Sequence, residues 1–170
     1  MSFWQNLPKR FFVLAPMADV TDPAFRRLIG ETKTPDVTWT EFVSADGLYH
    51  TRTKGIMTDA ENPLVRDLAF TEGERPIVAQ FFGSNPETME YAAAFAKERG
   101  FDGIDINMGC PDKSIEKQGA GAAHIKDPAK AKEVIRAAIR GAGGLPVSVK
   151  TRLGFNTMQW KEWLPALLEE

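Results

Sequence analysis

Polar and reactive residues stand where apolar, strand-like runs end: Glu41, Gln80, Asn107 with Cys110, and Lys150 with Arg152. Such a set can transfer a proton, hydrogen-bond a ring and stabilise a developing negative charge. Cys110 is the single cysteine of the chain, so it has no intramolecular disulfide partner and no Cys-x-x-Cys metal cluster around it. It lies in Ile106-Asn107-Met108-Gly109-Cys110-Pro111, where Gly109 permits close approach and Pro111 ends the strand. An unperturbed thiol, with a pKa of about 8.5, is mostly protonated at neutral pH and serves as an acid as well as a nucleophile. As a nucleophile it needs a base, for which the sequence offers His50 and His124. A lone cysteine is equally compatible with structural packing.

These residues need elements to position them. Apolar, β-branched runs near 11–17, 38–44, 77–82, 104–108 and 146–151 predict five strands. Between them Asp22-Pro23, Asn85-Pro86 and Asp127-Pro128 read as helix starts, a capping side chain followed by proline at the first helical position. The helix from Pro128 to Ile139 places Ala131, Val134, Ile135, Ala138 and Ile139 on one face, with Gly141 beyond its end. The next upstream helix aligns Met89, Ala92, Ala93 and Ala96, with Phe95 at the edge, and stops near Gly100. Residues 49–75 lack strong periodicity and read as a surface excursion, while Trp160 to Glu170 reads as a last helix. Alternating strands and helices predict a parallel α/β sheet. No Gly-x-Gly-x-x-Gly follows the first strand, so a dinucleotide-binding open sheet is disfavoured. The expected architecture is a (βα)8 TIM barrel of which about the first five βα units are present, since a whole barrel takes about 250 residues. In that fold the carboxyl ends of the strands, where the polar residues fall, build the site.

The 170 residues, 43% hydrophobic and 26% charged, suit one domain with a real core. No stretch approaches the roughly 18 apolar residues of a membrane span, and no leader-like segment precedes the first strand, which predicts a cytoplasmic protein. A formal charge of −2 gives no support for a nucleic-acid partner. Lys113, Lys117 and Lys126 nevertheless surround the Cys110 loop. The run Gly119-Ala120-Gly121-Ala122-Ala123 lacks the Lys-Ser or Lys-Thr of a phosphate loop and reads as tight packing. Lys150 leaves a mostly apolar strand, where burying an ammonium is costly without an anionic or hydrogen-bonding partner.

Several segments together resemble the tRNA-dihydrouridine synthases. They are Leu14-Ala15-Pro16-Met17-Ala18 with Thr21-Asp22 and Phe25-Arg26, Ala79 to Ser84, and the specific stretch Ile104 to Pro111. That stretch continues through Lys113 and Gly119 to Ala122, and Val147 to Phe155 completes the set. The resemblance implies a flavin-dependent barrel with a small helical domain that reduces uridines in tRNA, using FMN and NADPH. It implies that Pro16, Met17 and Ala18 line the flavin, that Gln80 hydrogen-bonds its ring and that Lys150 lies beside its N1 and O2 edge. Cys110 would protonate C5 of uracil while hydride from flavin N5 reaches C6. Asn107 and Arg152 would contact the uracil or order the site. No metal is implied, and the oligomeric state is left open.

Strands six to eight, the flavin phosphate site and the helical tRNA-binding domain of the resembled family are absent from this sequence, so the isolated chain is expected to bind FMN poorly and to expose strand edges. Asp112 and Glu116 add negative charge to a loop expected to face RNA. Two alternatives stand beside this reading: an FMN-dependent dehydrogenase of a free pyrimidine, of the dihydroorotate type, and an inactive truncated fragment.

Overall fold

A computed structural model describes residues 2–170. Five strands, β1 (Val13–Leu14), β2 (Val37–Ser44), β3 (Ile77–Phe82), β4 (Gly103–Met108) and β5 (Val147–Thr151), pair in parallel in the order β1-β2-β3-β4-β5. Each pairs with its sequence neighbour, as successive βα units of a TIM barrel do, and the sheet curls into a half-barrel. All five predicted strands are present, the first shortened to two residues.

Side chains alternate across each strand, so one face of the sheet looks into the barrel and the other meets the helices. The outer set, including Ile77, Ala79, Phe81, Ile104, Ile106 and Met108, packs against α4 (Pro86–Glu98) and α6 (Pro128–Ala142). Ala92, Ala93 and Ala96 of α4 and Val134, Ile135 and Ala138 of α6 are buried there. At Gly141 a Cβ would stand 2.1 Å from Glu90 O, so glycine is what lets α4 and α6 approach. Gly141 is therefore inside α6 rather than beyond it, and the left-handed cap is Gly143 at φ 51°. Ile139, expected on the buried face, is 42% exposed because it lies beside the open edge of β5.

Inside, the amino-terminal end of the half-barrel is plugged. Val37, Trp39 and Val78 pack with Phe3 and Leu7, and Trp4 lies 6.0 Å from the Trp39 ring. Gly103 makes room for Phe3, whose ring would stand 3.1 Å from a Cβ at that position.

All three predicted caps form: Asp22 accepts from Phe25 N for α1 (Pro23–Thr32), Asn85 from Glu87 N, and Asp127 from Lys130 N. Residues 49–75 hold more structure than their periodicity suggests. They contain most of α2 (Ala45–Thr53) and all of α3 (Pro63–Asp67), the latter opened by Asn62 and Pro63 in the same manner. Two shorter helical pieces follow in the chain, α5 (Lys113–Lys117) and the closing α7 (Trp160–Leu168). Trp163 of α7 is buried and donates to Thr151 Oγ1 at 2.8 Å. No helix among the described residues is long and apolar enough to cross a membrane.

Candidate active site

The inner face carries the polar residues. Strand register sets Gln80 beside Asp105, Asp105 beside Ser148 and Asn107 beside Lys150. Alternation turns all five the same way. Four of them form a bonded row. Asp105 accepts from Ser148 Oγ at 2.6 Å and from Gln80 Nε2 at 2.5 Å. Asn107 Nδ2 donates to Gln80 Oε1 at 3.4 Å.

Asn107 Oδ1 then accepts from the backbone N–H groups of Gly109, at 3.1 Å, and Cys110, at 3.0 Å. A side-chain amide that captures the two amides following it fixes the turn on which the thiol sits. The glycine-rich loop holds the turn from the other side, where Ala122 N donates to Cys110 O at 2.9 Å. Gly121, at φ +59°, comes so close that a Cβ would stand 2.7 Å from that same oxygen. The packing role expected of Gly119 to Ala123 is what the structure contains. Cys110 itself is half-buried.

Burial pushes the Asp105 carboxyl above the ordinary carboxylate range, opposed by the hydrogen bonds from Ser148 and Gln80 and by the charge of Lys150. Sequence reading passed over Asp105. The available signal is a carboxylate in a strand whose six residues are all buried, where an unpartnered charge is costly.

The β1–α1 loop bears Pro16, Met17 and Ala18, the last two exposed. It is tied by Thr21 Oγ1, which accepts from Met17 N at 3.0 Å. Asp19, left-handed at φ 58°, turns its N–H to the Glu41 carboxylate. Burial raises the Glu41 carboxyl above its usual range against that hydrogen bond, and the neighbouring charges of Asp67, Asp19 and Asp22 add to the effect. Glu41 thus joins the β1–α1 loop rather than the row at Asp105. Beneath the loop lies Arg26, fully buried, bonded to Glu74 at 2.7 Å and to Thr21 O at 2.8 Å.

Neither histidine serves the thiol. His50 is exposed on α2. His124 is buried, with Nε2 3.1 Å from Gly83 O, and burial depresses its pKa. Asp112 spends its carboxylate capping α5, accepting from Ser114 N at 2.8 Å. Among the described residues no group of His, Cys, Asp and Glu side chains is arranged to hold a metal.

A family model described as dihydrouridine synthase (Dus) matches residues 13–163. The chain belongs to the dihydrouridine synthase family. It is 45% identical over 170 residues to "Probable tRNA-dihydrouridine synthase 2" of Bacillus subtilis (strain 168), covering 99% of this chain and 50% of that protein. To "Probable tRNA-dihydrouridine synthase" of Staphylococcus aureus (strain COL) it is 44% identical over 171 residues, with 99% and 49% covered. The Staphylococcus epidermidis (strain ATCC 12228 / FDA PCI 1200) protein of the same name is 42% identical over 171 residues. The chain therefore spans about half the length of the curated relatives it matches.

One expectation for this dihydrouridine synthase chain changes with the structure. Lys150 is not buried in an apolar strand: β5 is an edge, and the ammonium is exposed with no ion-pair partner among the described residues. A free cation beside Asn107 suits the electron-rich edge of a flavin, so the donor set fits such a group. Gln80, by contrast, is 0% exposed and both ends of its amide are engaged. These two bonds use one N–H and one lone pair of the amide, which has two of each. Arg152 is exposed, its stem packed against Gly109, where Cγ would be 3.2 Å from a Cβ.

Proposed function

We propose that the full-length protein reduces the C5–C6 double bond of uridines in tRNA, with FMN as bound cofactor, NADPH as electron source and Cys110 as proton donor. The Cys110 turn carries this reading: a thiol gripped by Asn107 and Ala122 at the carboxyl end of β4, in a dihydrouridine synthase chain. When bound, FMN supplies a hydride, drawn from NADPH, to C6 of the uracil. Cys110 gives its thiol proton to C5, so the base gains two hydrogens, and solvent reprotonates the thiolate. Negative charge builds on the uracil carbonyls as the hydride arrives, and donors from Asn107 and Arg152 act there. Lys150 stabilises the electron-rich edge of the reduced cofactor, and Pro16, Met17 and Ala18 line its face. Gln80, a link of the buried row, hydrogen-bonds the flavin ring with the N–H or lone pair that the row leaves over. A stacked base cannot reach such a site, so the uridine must be extruded from the tRNA.

Full-length protein with NADPH should add the mass of two hydrogens to unmodified tRNA and leave free uracil and orotate unreduced. Reduction of the free pyrimidines alone would favour the dihydroorotate-type reading. Cys110→Ala should spare flavin reduction by NADPH while slowing uridine reduction by about 10²-fold or more, the contribution of a general acid. Equal turnover in variant and parent would rule out the role of the thiol.

A further inference from the structure

We infer that Asp105 is the positioning residue of this site, fixing the Gln80 amide and, through Asn107, the backbone turn that presents Cys110. The inference rests on the reading that Asn107 and Cys110 do the chemistry, and it adds a residue that touches neither substrate nor cofactor.

Asp105 sets the direction of the row at its buried end. A carboxylate oxygen only accepts. Gln80 must therefore turn Nε2 toward Asp105, 2.5 Å away, which leaves Oε1 toward Asn107. That carbonyl selects the amino group of Asn107, and Asn107 Oδ1 is left to face Gly109 N and Cys110 N. Were Gln80 reversed, its amino group would meet the amino group of Asn107. Reversing Asn107 in turn would set Nδ2 against two backbone N–H donors. The acceptor at position 105 thus agrees with the turn on both amide orientations, and losing it leaves the Gln80 end of the row unheld. The two backbone N–H donors at the turn ask for the same orientations, so the row is held by donors at one end and by the Asp105 acceptor at the other. Burial makes the specification count: Asp105 is 3%, Gln80 0% and Asn107 8% exposed, so water is a poor substitute partner.

Asp105→Asn and Asp105→Leu separate positioning from filling. Asparagine can keep Oδ1 toward Gln80 and donate from Nδ2 to Ser148 Oγ, whose hydroxyl has a second acceptor in Ile104 O at 3.3 Å. Leucine fills a similar volume and accepts nothing. Hydrogen exchange at the Gly109 and Cys110 amides, measured on the full-length protein without tRNA, reads the turn directly. Asp105→Leu should speed it by roughly three- to ten-fold, the loss of about one neutral hydrogen bond. Asp105→Asn should stay within about two-fold of the parent by the same scale, with the core amides of α4 and α6 reporting the change in global stability against which the turn amides are read. Parent-like exchange in Asp105→Leu, or an equal rise in Asp105→Asn, would overturn the inference. Should the leucine variant not fold, Gln80→Met, which cuts the row one step later and leaves Ser148 on Asp105, must produce the same rise; unchanged exchange there refutes it equally. Because the readout needs neither flavin nor tRNA, failure of the proposed reaction and failure of this inference are separate results.

Discussion

Glu74→Leu should be among the most damaging single changes outside the thiol loop. Glu74 and Arg26 have side chains 2% and 0% exposed and meet at 2.7 Å. Arg26 also donates to Thr21 O at 2.8 Å and to Ala69 O, while Glu74 Oε1 accepts from Thr71 N at 2.7 Å. Removing the carboxylate leaves a buried guanidinium with two carbonyls and no counter-charge, which costs about 3–5 kcal/mol. Against a total stability of about 5–15 kcal/mol this is a large fraction. Urea unfolding of the full-length protein, at a slope of about 2 kcal/mol per molar, should show the midpoint falling by about 2 M with the slope unchanged. Arg26→Met combined with Glu74→Leu removes both charges, leaving only carbonyls and amides short of partners, at about 1–3 kcal/mol. The double variant should therefore be more stable than Glu74→Leu alone. A single-variant loss below about 1 kcal/mol, the range of an exposed pair, would refute the reasoning. So would a double variant weaker than the single one.

Gly121→Ala should destabilise by about 1–2 kcal/mol from its left-handed backbone alone, and its Cβ, 2.7 Å from Cys110 O, should disturb the thiol turn. Thermal unfolding gives the first effect and the Cys110 alkylation rate the second; a parent-like rate would contradict the contact. Asp105→Asn should stabilise the protein at neutral pH. Burial raises the folded pKa of Asp105 above its unfolded value, so the native state binds the extra proton and stability falls as pH rises from the unfolded pKa through the folded one. The advantage of asparagine should accordingly shrink as the pH is lowered through that window. An advantage that grows toward acid pH would reverse the assigned sign.

Much of the scaffold was legible because local signals repeat. Strand runs with β-branched residues and the Asp22-Pro23, Asn85-Pro86 and Asp127-Pro128 starts each declare themselves within a few residues. Asn62-Pro63 carries the same signal, yet α3 is only five residues long and buries none of them, so no apolar stripe followed to confirm it. Helix α2 buries only Ala45 and Leu48 and shows little amphipathic contrast. The Cys110 turn was readable from Gly109, Pro111 and the small residues at 119–123. Its clamp was not, because which atom of Asn107 faces the turn depends on Gln80 and Asp105, 27 and 25 positions apart in the relevant pairs. Arg26 and Glu74, 48 residues apart, are brought together only by tertiary packing.

Lys150 and Ile139 depart from expectation for one reason, and that reason decides what the 170-residue chain can do. Strand β5 has a neighbour on one side only, and none of its residues is fully buried, whereas all six of β4 are. Along its helix side runs an apolar groove of about 590 Å³ lined by Ile135, Ile139, Leu145, Leu164 and Leu167. A further βα unit, as a TIM barrel requires, would meet both a free strand edge and an apolar seat. The Cys110 clamp is made wholly within β3, β4, β5 and the 119–123 loop, so it is complete in this chain. Beside Lys150, by contrast, no strand pairs with the free edge of β5 among the described residues. Lys150→Ala should therefore weaken FMN binding to the full-length protein by about tenfold, the worth of one charge-assisted contact, as measured by quenching of flavin fluorescence. The 170-residue chain should bind FMN weakly with or without Lys150. A yellow, monomeric 170-residue protein holding stoichiometric FMN would show that five strands suffice and that the edge at β5 is not what limits the site.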